Sequence, residues 1–343
     1  MRTITRRTAL AGLFLTGCTL TGMYSLRRFE SRVEQLKGIR SALHVHSSFS
    51  NVRFSHSPPE RIVEEAFRKN IGILCITDYN QDKAFEHLRK NAPSSLGNLT
   101  DIDDRVLSFE QENRTVYVLR GCEYHSNEDG HILSIGHKSG SIKNAAPRYD
   151  AREICERIRF NDGIVILPHP MGIRSGLGIH AIGGMGQAKV LELLPYVDAI
   201  EGFNARSRNF LPIIADASVF NADAKKFAQD YHTPIIATSD AHCYDEIDLA
   251  YFNMPEKFLD LQNGTAFVHG LRSAICSSTS ERYRAMNHEE DIPWTDFALR
   301  EFIPHYGVHA SALAICGAGL LSLCSKQGRQ AQEIWKKFFE LKR

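Results

Sequence analysis

Pro234-Ile235-Ile236-Ala237-Thr238-Ser239-Asp240-Ala241-His242 is an apolar run that ends in two metal-type ligands. A run of this kind reads as a strand buried on both faces, which delivers the side chains after it to the carboxyl end of a parallel sheet. The same ending recurs in Ala42-Leu43-His44-Val45-His46, where the two-residue period of a strand puts both imidazoles on one face. It recurs again in Ile164-Val165-Ile166-Leu167-Pro168-His169-Pro170, so three separate strands finish in histidine.

Around these endings the chain alternates between two periodicities. Strand Ser41–His46 precedes a helix over 58–68, started by proline with acids in its first turns. Strand Gly72–Thr77 and a helix over 81–90 follow, and the polar, turn-rich stretch Pro93 to Asp104 reads as a surface insertion. Strands Val116–Gly121 and His131–Gly136 flank a turn at 126–130. A helix over 151–160, strands Gly163–Leu167 and Val197–Ile200, a helix over 215–229 and strand Pro234–Thr238 complete the pattern. Strand-then-helix repetition predicts an α/β fold with a parallel sheet or barrel.

The 343 residues suffice for a large core, and a formal charge of +1 offers no field to steer a long polyanion. No long nucleic-acid partner is therefore expected. Eight cysteines show no C-x-x-C pair, and several sit in apolar runs such as Ile73-Leu74-Cys75-Ile76, as core thiols do. Six glycines between Gly172 and Gly186 lack the G-x-x-x-x-G-K-[ST] pattern and read as a loop over a site, not a nucleotide cradle.

Residues 1–38 are set apart from the fold. Arg2, Arg6 and Arg7 precede a short apolar region, and Leu15-Thr16-Gly17-Cys18 resembles the lipobox of bacterial lipoproteins, which implies cleavage before Cys18 and its acylation. The alternative is an uncleaved anchor, since the uncharged residues 8–26 lie between Arg6-Arg7 and Arg27-Arg28. Either reading gives an exported, membrane-anchored protein with its globular part outside the cytoplasm. The core is assigned to residues 39–255 and a mostly helical extension to 256–343. In that extension the uncharged residues 310–325 read as a buried helix. A second helix carries Ile334, Trp335, Phe338, Phe339 and Leu341 on one side, to pack on the barrel or to lie on a membrane surface.

The strand-end candidates are His44, His46, Glu123, His131, His169, Asp240 and His242. Imidazole and carboxylate are the ligand set for Zn, Mn or Fe, and a carboxylate among several histidines can bridge two ions. Single histidines are usually satisfied core or surface residues; seven ligand types closing successive apolar strands point to a polynuclear centre.

His44-Val45-His46-Ser47, Ile76-Thr77-Asp78, Gly121-Cys122-Glu123, His131-Ile132-Leu133, His169-Pro170 and Ser239-Asp240-Ala241-His242 resemble, in order, the motifs of the polymerase and histidinol phosphatase (PHP) superfamily over about residues 41 to 250. The resemblance implies a distorted (β/α)7 TIM-like barrel, two or three divalent ions (Mn, Zn or Fe) at the carboxyl ends of its strands, and phosphoester hydrolysis. By motif position His44, His46, Glu123 and Asp240 bind one ion, Glu123 bridges to a second held by His131 and His169, and His242 serves a third. Two departures, Asn51 and Tyr79, stand where the family has stronger ligands, so two firm ions are expected and the third is weak or absent. His56 lies near enough in sequence to stand in.

A metal ion lowers the pKa of bound water to roughly 7 and so supplies hydroxide at neutral pH. The nucleophile is assigned to such a water across Glu123, Asp240 orients it, and His242 is a candidate acid. Arg174, Asn204 and Arg206 are expected to bind the substrate, since arginine's planar fork suits phosphate oxygens. Solvated surface arginine is the bland reading, and it leads for Arg208. His125 and His137 flank ligand candidates and could support them. The favoured function is a metal-dependent phosphoesterase for a small phosphorylated or nucleotide-like substrate. Its rivals are a non-phosphate metal hydrolase and a catalytically impaired metal-binding protein.

Overall fold

The computed structural model describes residues 38–50, 55–127, 130–140, 149–172, 184–206, 218–278 and 283–285. The expected export segment with Cys18, together with Asn51, Arg174, Arg208, the middle of the glycine-rich loop and the helices expected beyond residue 286, lies outside the described residues.

Strands are β1 Ile39–Val45, β2 Ile73–Ile76, β3 Asn98–Asp103, β4 Val106–Gln111, β5 Arg114–His125, β6 His131–Ile135, β7 Ile164–Leu167, β8 Ala199–Asn204, β9 Ile235–Thr238, β10 Ala250–Met254 and β11 Tyr283–Ala285. Helices are α1 Pro59–Arg68, α2 Lys83–Asn91, α3 Ala151–Phe160, α4 Gln187–Leu193, α5 Ser218–Tyr231 and α6 Gly264–Cys276. The expected strand-then-helix alternation is visible in this order. Pro59 opens α1, whose Ile62, Val63, Ala66 and Phe67 recur at helical spacing and are buried. Asp150 caps α3 by accepting a hydrogen bond from the Glu153 amide.

Hydrogen bonding runs in the order β11-β10-β1-β2-β5-β6-β7-β8-β9. Pairs β1/β2, β2/β5, β7/β8 and β8/β9 are parallel. Strand β6 is antiparallel to both of its neighbours, so the sheet is mixed where the strand-then-helix pattern led to the expectation of a parallel sheet or barrel. The link from His125 to His131 is too short for the crossover that parallel neighbours require. The sheet curls until its ends meet: Val45 bridges Ala241 just past β9, and the His46 amide donates to the Ala241 carbonyl at 2.7 Å. That lacing sets the His44–His46 ending beside the Asp240–His242 ending.

Other differences from the sequence reading have local causes. Pro93 to Asp104 is not only a surface insertion: β3 lies in it, and this largely exposed strand is held by the buried Val106, Leu107 and Phe109 of β4. Strand β8 runs on past Ile200 through Glu201 and Asn204. Helix α6 packs Phe267, Val268, Leu271, Ala274 and Ile275 into one apolar cluster with Leu43, Leu119, Leu133 and Ile166 of the strands. Strand β11 pairs with β10. The packed unit therefore runs through residue 285, beyond the boundary drawn at 255.

That cluster forms the floor of the site. Leu119 and Glu123 share a face of β5, and Leu133 and His131 share a face of β6, by the period of two. In β1 the pairing slips between Ala42 and Val45, so Leu43 joins the floor while the next side chain, His44, reaches the ligand cluster. Among the described residues no helix is long and apolar enough to cross a membrane.

Candidate metal centre

All seven ligand candidates are buried and stand where the strands deliver them. His44 Nε2 and His46 Nε2 lie 3.2 Å apart. Glu123 Oε2 is 3.2 Å from the first and 3.1 Å from the second, and Asp240 Oδ1 is 3.3 Å from each. Ligand atoms around a tetrahedral ion with bonds of ~2.0–2.2 Å are about 3.4 Å apart. Four atoms from three strand ends thus have the spacing of one coordination shell.

The other oxygen of Glu123 faces a second group. Oε1 is 2.6 Å from His131 Nδ1 and 3.3 Å from His169 Nε2. One carboxylate therefore joins two lobes, His44, His46 and Asp240 on one side and His131 and His169 on the other. His44 with His46 and Asp240, and His44 with Glu123 and His169, each bring their ligand atoms within 4.8 Å of one another.

The donor atoms fit cations better than they fit each other. Glu123 Oε1, Asp240 Oδ1 and both ring nitrogens of His131 are buried with no hydrogen-bond partner among the described residues, even where a neighbour is close. Their contacts are short but misaligned, as expected of groups aimed at a shared point. Buried polar atoms left unpaired are costly, and an ion at that point resolves the cost.

Charge tells the same story. Burial pushes the Glu123 carboxyl up, yet the facing His131 and His44 imidazoles prevail and hold it well below the usual carboxylate range. Asp240 is likewise held low against burial by His44, His46 and His242. Burial opposes protonation of His44, but Asp240, Glu123 and Glu201 raise it well above an ordinary histidine. His46 and His169 are raised for similar reasons, whereas burial wins at His131 and lowers it. Without metal, protons on imidazoles take the place of cations between the carboxylates.

Two of the ligands are held in strained backbone. His169 has φ +30° and Asp240 φ +51°, in the left-handed region. Such conformations cost on the order of 1–3 kcal/mol each and persist only where the surroundings impose them.

His242 packs on His46 with ring centroids 4.4 Å apart, and its Nδ1 donates to the Asp240 carbonyl at 3.0 Å. Burial, Arg206 and His46 hold it well below the ordinary histidine value, so it is neutral with a bare Nε2. That arrangement suits a ligand or an acceptor. Tyr79 stacks on His46 at 4.6 Å and meets His131 edge-on at 5.2 Å. Burial, with Glu123 and Asp240, raises its phenol well above the usual range in the metal-free protein.

The substrate candidates part company. Arg206 lies 3.8 Å from Glu246 on the His242 side of the site and acts electrostatically on both His242 and Tyr79. Asn204, expected to line the pocket, is 0% exposed and donates to Glu201 at 2.8 Å and Asp240 at 3.2 Å, so it holds the centre together and has no face open to a substrate. His56 is exposed. His125 meets His131 edge-on at 4.3 Å, while His137 belongs elsewhere, bonded to Ser134 and facing Asp82.

Sequence reasoning missed the groups behind the ligands. Glu201 accepts from His44, Thr238, the His169 amide and Asn204. Ser50 contacts His46 Nδ1 at 3.1 Å. Asp78 of the Thr-Asp motif accepts from the Ser47 amide and hydroxyl, both at 2.6 Å, which fixes the turn after His46. A glutamate inside the apolar stretch Ala199-Ile200-Glu201-Gly202-Phe203 was the available signal for Glu201.

No family model and no curated protein matches the chain. Solved structures do. PsfC from Pseudomonas syringae PB-5123 superposes with a TM-score of 0.53 at 12% identity, over 76% of this chain and 98% of that one. A two-domain protein from Bacteroides vulgatus containing a predicted PHP-like metal-dependent phosphoesterase gives 0.46 at 18% identity, over 75% and 68%. The novel lesion-specific endonuclease PfuEndoQ from Pyrococcus furiosus gives 0.45 at 19% identity, over 71% and 56%. With a nearly closed mixed barrel and the motif histidines and carboxylates gathered where its strand ends meet, the chain shares the fold of PsfC.

Proposed function

We propose that this chain is a metal-dependent phosphoesterase that hydrolyses a small phosphorylated or nucleotide-like substrate using two divalent ions. The observation that carries the reading is the spacing of His44, His46, Glu123 and Asp240, whose ligand atoms stand 3.1–3.3 Å apart wherever a pair is measured.

Bound divalent ions supply an acidified water and neutralise charge on a phosphoryl group. The chain's own residues do the rest. Glu123 keeps the two lobes in fixed relation, one oxygen to each. Asp240, with Oδ2 held by Asn204, turns Oδ1 to the point between His44 and His46, where it would help hold an ion and orient the water that ion supplies. Neutral His242 accepts a proton or completes a ligand set. Arg206 presents a positive charge to phosphoryl oxygens beside His242, and Arg174 is assigned the same task from its place in the sequence.

Tyr79 in place of a stronger ligand supports two ions over three. The basic start and Leu15-Thr16-Gly17-Cys18 support export and anchoring at a membrane, to be checked by fractionation of wild type and Cys18→Ala.

The decisive experiment measures metal content of the purified protein together with hydrolysis of an aryl phosphate monoester, the diester and a DNA duplex carrying a lesion. The duplex is included because PfuEndoQ is a lesion-specific endonuclease. Two ions per chain, with ester turnover lost in His44→Ala, is the expected result. Bound metal without turnover on any phosphoester would favour a different hydrolase or a binding protein, and absence of metal would remove the reading altogether.

A further inference from the structure

Glu201 sits within β8, is 1% exposed, and touches neither of the points where the ligand atoms of the two lobes converge. Its Oε1 accepts from His44 Nδ1 at 2.8 Å and from the Thr238 hydroxyl at 2.5 Å. Its Oε2 accepts from the His169 amide at 2.7 Å and from Asn204 Nδ2 at 2.8 Å. A carboxylate offers about four lone-pair directions, and here four donors occupy them. No direction is left for an ion, so Glu201 is not a ligand.

Each of the four bonds has a consequence for a residue that is one. An acceptor-only carboxylate requires a proton on His44 Nδ1, which in the neutral ring leaves Nε2 bare and pointed at His46, Glu123 and Asp240. The bond to the His169 amide holds the backbone at the residue whose φ is +30°. Asn204 carries the same constraint onward, because its amide nitrogen also donates to Asp240 Oδ2 and leaves Oδ1 to the first lobe. Thr238, the last residue of β9, ties that strand's end to β8 immediately before Ser239 and Asp240.

We infer that Glu201 is a positioning residue for both lobes: one buried carboxylate fixes the tautomer of His44, the backbone of His169 and, through Asn204, the rotamer of Asp240. The role rests on the metal-binding reading of the site. It accounts for how two ligands in left-handed backbone are kept in place, and it couples the lobes through a group that contacts neither ion position. An ordinary buried carboxylate would contribute to folding alone, and that difference can be measured.

The test is zinc affinity of the full chain, by competition with a chromophoric chelator, in wild type and Glu201→Gln, alongside the melting temperature of each metal-free protein. Gln is isosteric but brings two donors against four, so His44 and the His169 amide cannot both keep an acceptor. Zinc affinity is expected to fall about 10- to 100-fold at both lobes, as for loss of a carboxylate behind a metal-binding histidine. Wild-type protein that takes up no zinc overturns the metal reading on which this rests. Zinc uptake by wild type with equal affinity in Glu201→Gln, whatever happens to melting, overturns the positioning role alone. Should Glu201→Gln fail to fold, the near-isosteric Thr238→Val strips one bond from Oε1. A few-fold loss of zinc affinity is then expected, and wild-type affinity overturns the role.

Discussion

His131 and Glu123 meet at 2.6 Å through Nδ1 and Oε1, the carboxylate oxygen opposite the one that faces His44 and His46. The arrangement makes Glu123 a ligand candidate shared by both lobes. Glu123→Gln keeps the shape and removes the charge, and an amide nitrogen would have to face one set of imidazoles. The expected outcome is loss of metal at both lobes together, with affinity down by about 100-fold or more, beyond what loss of a supporting partner costs. Metal content after dialysis reads this directly; retention of one full equivalent would show that the lobes are independent of Glu123.

Protons should leave as metal enters. His44, His46 and His169 are raised in the metal-free protein because Glu123 and Asp240 outweigh burial, so protonation of these rings is favoured there, whereas an ion needs bare nitrogens. Affinity therefore rises with pH until these rings are deprotonated. The sign for stability is the reverse. The imidazolium–carboxylate contribution of the metal-free fold is fully present below the unfolded histidine value of about 6.5 and fades as pH climbs through the raised folded values. Titration calorimetry in two buffers of different ionisation enthalpy should give different apparent heats. Equal heats would mean that no protons are released.

The fold was readable where burial dictated the pattern. β2 and β7 are unbroken apolar runs and β9 is one up to Thr238, so the histidines and carboxylates that follow them stand out. Strand β3 was not readable, because its Asn98, Thr100 and Asp101 are exposed and its conformation comes from β4. Glu201 was passed over for a related reason: a carboxylate inside a strand has no local signature of what it binds, and its four donors come from positions as far apart as His44 and Thr238. Asn204 is expected in the pocket because it resembles a recurring asparagine of the PHP family, but only the packing of β8 against β9 shows that it faces Asp240.

A separate cluster should govern stability in acid. Arg120 is 0% exposed and donates to Asp82 at 2.6 Å, to Glu86 at 2.5 Å and to the Asp104 carbonyl at 2.6 Å. Burial pushes Asp82 up, but His137 and Arg120 prevail and hold it far below its usual range; Arg120 lowers Glu86 as well. A depressed carboxylate contributes stability above its unfolded value of about 4, and that contribution is lost as pH falls toward the folded one. Asp82→Asn should cost about 1–3 kcal/mol at pH 7, as for a lost charged hydrogen bond to a buried partner. The gap to wild type should narrow below about pH 4. Urea unfolding at several pH values checks both the size and the narrowing.

Gly121 shows how tightly β5 must pass its neighbour to deliver Glu123 two residues later. A Cβ there would lie 2.3 Å from Cys75 Sγ and 2.9 Å from the Ile76 carbonyl oxygen. The sulfur belongs to a fully buried residue and the carbonyl to the adjacent strand, so neither yields freely. Gly121→Ala is expected to destabilise by about 1–3 kcal/mol through overpacking. Because the strand must shift to fit the methyl group, metal affinity should fall as well. A variant with a lowered melting temperature and wild-type metal affinity would show that Glu123 is positioned independently of the packing beneath it.

Arg206 offers the cleanest separation of binding from metal chemistry. It lies outside both lobes, its side chain is 14% exposed, and Glu246, 3.8 Å away, also accepts the amides of His242 and Cys243. Its charge acts on both His242 and Tyr79, which places it to meet a phosphoryl group bound beside them. Arg206→Ala should leave metal content unchanged and lower kcat/KM for the preferred phosphoester by about 10- to 100-fold, the worth of a charge-assisted hydrogen bond. Most of that loss should appear in KM if Arg206 holds the ground-state phosphate, and in kcat if its contact tightens only as charge develops. Arg206→Lys keeps the charge but loses the planar fork, so it should recover only part of the loss. Steady-state kinetics on the three proteins decides between these, and unchanged kinetics in Arg206→Ala would remove Arg206 from the substrate site.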